Sequence, residues 1–178
     1  MKRYVRASRG MTLVELMLAL GILSVMSTAV MYLLVGACNL NRFAQNESTM
    51  VWDGDFAFHR IYANGLAAVP SSAGGMTPTV ATDANGQSRL TIIVPDIANN
   101  TTRTIKYYCT GASAPFKLVE DDPRYNVSGT PNTIASNVQS FSVTLDSSTT
   151  MKIWVDLQIS ANSTWPVRRH FCVNCRDF

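Results

Sequence analysis

The hydrophobic pattern divides the chain into an apolar N-terminal stretch and a longer region of mixed sequence. From Met11 to Cys38 only one residue in twenty-eight is charged, and that residue is Glu15. A helix needs about 20 apolar residues to cross the hydrocarbon core of a bilayer. The stretch from Met11 to Cys38 therefore predicts a membrane span.

Beyond the span, apolar residues recur at roughly helical spacing among polar ones, up to a stop signal at Asn64-Gly65. A helix over residues 11–64 would be about 80 Å long at 1.5 Å per residue. We expect the second half of this helix to pack against a globular head, with a bend at Asp53-Gly54-Asp55. The stripe that we expect to form the packed face consists of Leu40, Phe43, Met50, Val51, Phe56, Phe58 and Ile61.

The rest of the chain predicts a loop and then a series of strands. Residues 70–86 are rich in Ser, Gly, Thr and Ala and read as the loop. In residues 151–159 apolar and polar positions alternate strictly, which is typical of a strand with one buried face. No second long amphipathic helix follows, so the fold class is α+β, with an antiparallel sheet covering the C-terminal half of the helix. The predicted strands are Leu90–Val94, Thr102–Cys109, Phe116–Val119, Val138–Leu145, Met151–Ile159 and Val167–Cys172.

Charge is concentrated at the N-terminus. The net charge is +3, and the first ten residues hold four of the fifteen positive side chains, namely Lys2, Arg3, Arg6 and Arg9. Cations mark the cytoplasmic side of a span, so everything after Cys38 is expected outside the cytoplasm. The remaining residues carry eleven positive against twelve negative charges. This near neutrality argues against nucleic acid as a partner, because phosphate binding needs a concentrated basic face.

The acidic residue inside the span calls for a function. A carboxylate there costs about 2.5–3.5 kcal/mol on insertion scales, which makes Glu15 a functional candidate. One alternative is that Glu15 lies near the interface and extends to the lipid headgroups. Another is an ordinary secretory signal, since Ser27, Thr28 and Ala29 resemble a cleavage site, although the apolar core is longer than the usual 7 to 15 residues or so.

The residues Arg9-Gly10-Met11-Thr12-Leu13-Val14-Glu15-Leu16, followed by an unbroken apolar stretch, resemble the cleavage and methylation motif of type IV prepilins and type II secretion pseudopilins. The resemblance implies that prepilin peptidase cuts between Gly10 and Met11 and then N-methylates Met11. Family members usually carry Phe at the position of Met11. Many major pilins also carry a Pro near the position of Tyr32, and its absence here favours a minor subunit.

Cleavage at Gly10 would create a new α-amino group, which is largely protonated at neutral pH because its reference pKa is about 8. An unpaired ion in an apolar filament core would cost several kcal/mol. Glu15 of one subunit could neutralise the Met11 amine of a neighbour and so set the axial alignment, as the resemblance also implies.

The predicted organisation is a leader at residues 1–10, a helix at residues 11–65 and a β-rich head at residues 66–178. The expected partners are prepilin peptidase, inner-membrane lipid, and then other major and minor pilins. The head would lie in the periplasm, and after assembly outside the cell. No cofactor is expected, and no catalytic set of side chains can be assembled from the sequence.

The stretch Phe56 to Gly65 also resembles minor pilins of the PilW type and pseudopilins of the J type. The function that this implies is a non-catalytic minor pilin involved in pilus assembly, initiation or the tip. The alternatives are a minor pseudopilin of a type II secretion system, and a filament-borne module for adhesion or DNA uptake.

The cysteines allow more than one pairing, because disulfides are permitted outside the cytoplasm. Cys38 lies at the edge of the span and is expected to be unpaired. Cys109 with Cys172 or Cys175 would join an early strand to the C-terminus and contribute about 2–4 kcal/mol; Cys172 with Cys175 is the alternative. A zinc site using His170 is disfavoured, because the Cys-x-x-Cys pair is not repeated. We interpret the acidic segment at residues 120–126 as a solvated turn rather than a calcium loop.

Overall fold

The computed structural model describes residues 11–69, 78–126, 129–146, 152–160 and 166–174. In these residues one helix precedes seven strands, so the predicted α+β class is confirmed. The chain divides into two units between Gln45 and Asn46. The elements are α1 (Leu13–Leu66), β1 (Thr79–Thr82), β2 (Ser88–Asp96), β3 (Thr101–Thr110), β4 (Phe116–Asp121), β5 (Asn132–Asp146), β6 (Lys152–Ile159) and β7 (Val167–Asn174).

In the first unit, every residue from 11 to 45 is exposed, although most of them are apolar. The most apolar window of α1 has a mean hydropathy of 2.2, and the protein buries none of it. By length and composition the helix can cross a membrane. Exposed apolar surface of this extent is unfavourable in water, at about 25 cal/mol per Å². The first unit therefore fits membrane anchoring.

The second unit contains an antiparallel sheet in which every strand lies beside its sequence neighbours, in the order β1 to β7. The strict alternation predicted for β6 is confirmed, because its odd-numbered residues from Ile153 to Ile159 are buried. Each of the six predicted strands is present. The prediction missed β1, which lies inside the supposed loop at residues 70–86. β1 has only four residues and one partly buried side chain, so its sequence carries little strand signal.

The sheet curls so that β2 meets β5. β5 pairs with β4 over its first part and with β6 over its second part, with register shifts between. Past the end of β4, the N–H groups of Phe141 and Val143 donate to the side-chain oxygens of Gln87 at 2.7 Å and Ser88 at 3.0 Å. These side chains replace a neighbouring strand, because buried backbone donors need partners.

The C-terminal part of α1 packs on the sheet through small residues. The buried positions of the helix, spaced three or four residues apart, are Met50, Gly54, Ala57, Ile61 and Gly65. The predicted packed stripe is therefore only partly correct. Met50 and Ile61 are buried, and Phe58 packs against the core, stacking edge-on with Phe171. By contrast Leu40, Phe43, Val51 and Phe56 are exposed. Leu40 and Phe43 lie in the first unit, where no residue from 11 to 45 is buried. On the packed face of residues 46–66, the close approach of helix and sheet selects small side chains rather than bulky ones.

The triplet Asp53-Gly54-Asp55 remains α-helical and docks the helix instead of interrupting it. The Asp53 carboxylate accepts from the backbone N–H of Ser136 at 3.0 Å. Asp55 accepts from Arg169 at 2.8 Å, and the Arg169 side chain crosses directly over Gly54. A Cβ atom at Gly54 would lie 3.6 Å from Cγ of Arg169, which is an ordinary van der Waals contact.

The acidic segment at residues 120–126 is not a solvated turn, which corrects the prediction. Glu120 and Asp122 are 0% and 1% exposed. Glu120 lies opposite Tyr107 in the β3–β4 pair, on the side of the strand that faces the core. Each carboxylate forms an ion pair with an arginine: Glu120 with Arg60, and Asp122 with Arg103. Arginine partners distant in sequence allow these acids to be buried.

Candidate processing and assembly site

The start of α1 forms a capping box. The Thr12 Oγ1 accepts from the backbone N–H of Glu15 at 3.3 Å. The Glu15 Oε2 accepts in return from the backbone N–H of Thr12 at 2.9 Å and from its hydroxyl at 3.0 Å. This reciprocal pattern satisfies donors that a helix N-terminus otherwise leaves without partners. The arrangement therefore fixes where the helix begins and holds the carboxylate beside its first turn.

The capping box lies at the predicted cleavage position. Met11, whose amine cleavage would release, immediately precedes Thr12 and is 66% exposed. Gly10 lies outside the described residues. Around Glu15 the neighbouring side chains are apolar and exposed, and it is the sole acidic residue between Met11 and Gln45. The structure thus presents a single carboxylate, close to the chain start, on a surface without other anions.

Two hydroxyl groups in the apolar stretch of α1 donate to carbonyl groups of the helix itself. Ser24 donates to the carbonyl of Gly21 at 2.8 Å, and Thr28 donates to the carbonyl of Ser24 at 2.9 Å. Such back-bonding lets small hydroxyls lie in an apolar environment without unpaired donors. Ser27, Thr28 and Ala29, which resemble a secretory cleavage site, lie in the interior of α1.

A second cluster that the sequence analysis missed joins α1 to the sheet. Arg60 donates to Glu120 through Nε at 3.1 Å and also through Nη2. The other Glu120 oxygen accepts from Asn64 at 3.1 Å and from the Tyr107 hydroxyl at 2.7 Å. Burial, reinforced by the Glu120 charge, raises the pKa of Tyr107 well above its ordinary value. The sequence carried one signal for this cluster. Phe116, Leu118 and Glu120 alternate along one strand, so the acid occupies a position that faces the core.

The predicted disulfide of Cys109 with Cys172 or Cys175 is not supported by the structure. Cys109 is buried in β3 with a free thiol, and Cys172 lies on β7, four strands away in the sheet. Cys175 lies outside the described residues, so its pairing with Cys172 stays a prediction. Burial, assisted by Asp83, raises the pKa of the Cys109 thiol to about 12. Such a thiol is inert at neutral pH. The Cys38 thiol, by contrast, is free and exposed.

Among the described residues, no group of three or more His, Cys, Asp or Glu side chains could hold a metal ion. The buried carboxylates of the head are already engaged by arginine. The described residues offer a capped helix start, an exposed apolar helix and a well-packed head, which suits anchoring and association.

Comparison with known proteins supports this conclusion at the N-terminus. Residues 5–31 match the family model described as the prokaryotic N-terminal methylation motif. This match covers the predicted cleavage position, the capping box and the apolar stretch as far as residue 31. No curated protein and no solved structure shows significant similarity to the chain.

Proposed function

We propose that this chain, which carries the N-terminal methylation motif of the type IV pilin and pseudopilin family, is a prepilin that matures into a minor subunit of a type IV pilus. Prepilin peptidase cuts between Gly10 and Met11 and methylates the new Met11 amine. The mature chain stays in the inner membrane, with its head in the periplasm, until it enters the filament. Its role is structural, in pilus assembly, initiation or the tip.

The observation that carries this proposal is the Thr12–Glu15 capping box at the start of an exposed apolar helix. A carboxylate in lipid is costly, and hydrogen bonds from Thr12 reduce that cost before assembly. They also keep the carboxylate within one turn of Met11. In a filament, the same position lets Glu15 meet the charged amine of a neighbouring subunit.

The exposed apolar surface of residues 11–45 supports two successive environments for this part of the helix. Lipid covers this apolar surface before assembly, and the corresponding helices of other pilins cover it afterwards. Because apolar contact alone does not fix how far one helix slides along another, the charge pair between Glu15 and the neighbouring amine supplies the axial register.

The minor-subunit assignment rests on two features. α1 runs from Leu13 to Leu66 without a proline. In the family pattern, many major pilins carry a proline in the middle of the span. The resemblance of residues 56–65 to minor pilins adds to this. A minor pseudopilin of type II secretion is the neighbouring possibility; loss of pili on deletion supports the pilus assignment, and loss of protein export with intact pili would overturn it.

The decisive experiment is to determine the mature N-terminus by intact mass and terminal peptide sequencing, in membrane and sheared-filament fractions. We expect an N-methylated Met11 in both. Gly10→Val should leave the leader attached, and Gly21→Val is the matched control, because Gly21 lies in α1 with open space around it. An intact leader in the unaltered chain, or cleavage near Ala29, would contradict the proposal.

A further inference from the structure

Several charged side chains of the second unit form ion pairs that the sequence does not reveal. Four arginines form ion pairs with carboxylates: Arg60 with Glu120, Arg103 with Asp122, Arg124 with Asp96, and Arg169 with Asp55. Three of these carboxylates are almost completely buried. These carboxylates neutralise their own arginine partners and contribute little to the electrostatic potential of the exposed surface. Each pair removes one positive and one negative charge, so the near-neutral total does not show how the remaining charges are distributed over the sheet.

Three cations remain outside these pairs on one face of the sheet. Arg89 on β2, Lys106 on β3 and Lys117 on β4 are all exposed, and none of them forms an ion pair with another described residue. Lys106 lies opposite Thr91, and Lys117 lies opposite Thr110. Neighbours on one face of a sheet are about 5 Å apart across strands and 7–8 Å apart diagonally. Lys106 and Lys117 are four residues apart in the β3–β4 register and are not neighbours of each other, but each is a neighbour of Tyr108, and Arg89 lies over the Tyr108 ring, so the three cations surround one residue.

Tyr108 lies at the centre of this group. It is half-buried on β3, two residues from Lys106, and it pairs with Val119 on β4. The Arg89 guanidinium lies over its ring, 5.0 Å from the centroid. A tyrosine ring and a guanidinium plane are both surfaces on which nucleobases stack. We call Arg89, Lys106, Tyr108 and Lys117 the basic face.

Two carboxylates lie near the basic face. Asp121 is opposite Lys106 and accepts a hydrogen bond from the Asn126 side chain. Asp83 lines a depression next to Arg89, and accepts from the backbone N–H groups of Asn85 and Gln87, both at 2.9 Å. Local hydrogen bonds thus hold both acids, and the three cations still outnumber them.

We propose that the basic face binds single-stranded nucleic acid, with phosphates at the three cations and a base stacked on the Tyr108–Arg89 platform. This reverses the expectation drawn from net charge. It goes beyond the filament role and does not depend on it, because the residues concerned all lie in the head. A half-buried aromatic ring among unpaired cations favours nucleic acid over an anionic lipid surface, which offers no bases to stack.

The test uses the purified full chain in a neutral detergent and a fluorescently labelled thymidine 20-mer, with anisotropy measured across a salt series. Three phosphate contacts give a slope of log K against log salt of about −2 for a single strand. Lys106→Gln and Lys117→Gln should each reduce that slope by about 0.7. Tyr108→Leu should weaken binding about fivefold, at the low end for loss of one stacked base, with the slope unchanged.

Two further variants make the test specific to this surface. Arg168→Gln removes an equally exposed cation from β7 and should change neither affinity nor slope. Asp121→Asn removes the carboxylate opposite Lys106 and should tighten binding. Undetectable binding would overturn the proposal, as would equal losses from Arg168→Gln and Lys106→Gln, or preferential binding to anionic-lipid vesicles without dependence on Tyr108. Unfolding curves of each variant confirm that the head is intact.

Discussion

Residues 11–45 and the head differ in how their side chains find partners. In the first region every side chain is exposed, and most are apolar. In the head, even carboxylates as deeply buried as Glu120 have arginine and hydroxyl partners. The first region therefore needs an apolar surrounding from outside the chain, whereas the head holds its own interactions. Substitutions should separate the two: those in the head change its stability, and those at the helix start change association.

The largest effect on head stability is expected from Glu120→Ala. This change leaves Arg60 without its carboxylate, and takes the acceptor from Tyr107 and Asn64. Breaking a buried pair costs about 3–5 kcal/mol, and Arg60 is 28% exposed, so we expect about 3 kcal/mol. The measurement is urea unfolding of the full chain in detergent, followed by near-UV circular dichroism.

The control for Glu120→Ala is Asp156→Asn, which alters a partly exposed carboxylate on β6. We expect that variant to change the unfolding free energy by less than about 0.5 kcal/mol. If the two variants lost similar stability, the Arg60–Glu120 pair would not hold the helix on the sheet.

A smaller effect is expected where α1 approaches β7 most closely. A Cβ atom at Gly65 would lie 2.7 Å from Cγ1 of Val173. Overpacking costs about 1–3 kcal/mol, and the higher helix propensity of alanine returns up to about 1 kcal/mol, so Gly65→Ala should cost about 1–2 kcal/mol. Adding Val173→Ala should cost less than the sum of the single changes; strict additivity would show that the two residues do not meet.

The ion pair between Asp96 and Arg124 predicts a pH dependence. The hydrogen bond from Arg124, followed by that from Asn99, lowers the pKa of Asp96. A carboxyl group with a lowered pKa stabilises the fold above its unfolded pKa of about 3.9 and loses this contribution as pH falls through the folded value. Asp96→Asn should therefore be less stable than the unaltered chain at pH 7, and this gap should narrow below about pH 4. A gap independent of pH would contradict this assignment.

The fold was largely predictable because its signals are local. The apolar run of α1 and the alternation of β6 are patterns that neighbouring residues carry themselves. The buried network around Glu120 was not predictable, because Arg60 lies 60 residues away. Likewise the basic face was not predictable, because the strand register of β2, β3 and β4 is what brings its cations to one side of the sheet.

The same reasoning explains the candidate site. Glu15 could be singled out from sequence because it is the one charged residue between Met11 and Cys38, although its bonds to Thr12 were not predicted. The packed face of α1 was predicted from bulky apolar residues, whereas the positions that contact the sheet include Gly54, Ala57 and Gly65. A count of apolar residues cannot show that a helix approaches a sheet closely enough to require glycine.

Substitution of Glu15 should have the smallest effect on the head and the greatest effect on assembly. Glu15→Gln keeps a side-chain oxygen that can accept from Thr12, but it removes the charge that the proposed pairing with a neighbour's amine requires. We expect an unchanged unfolding curve for the head, unchanged membrane insertion, and loss of the chain from sheared filaments. The measurements are unfolding in detergent and quantification of the subunit in each fraction.

Thr12→Ala is the matched variant, because it removes the cap and keeps the charge. Loss of an N-cap side chain costs about 1 kcal/mol locally. In this variant the Glu15 carboxylate can still accept from the backbone N–H of residue 12. Thr12→Ala should therefore leave most of the subunit in filaments, whereas Glu15→Gln should not. If both variants assembled equally well, charge pairing at Glu15 would not set the register; if both failed, the cap would be required as well as the charge.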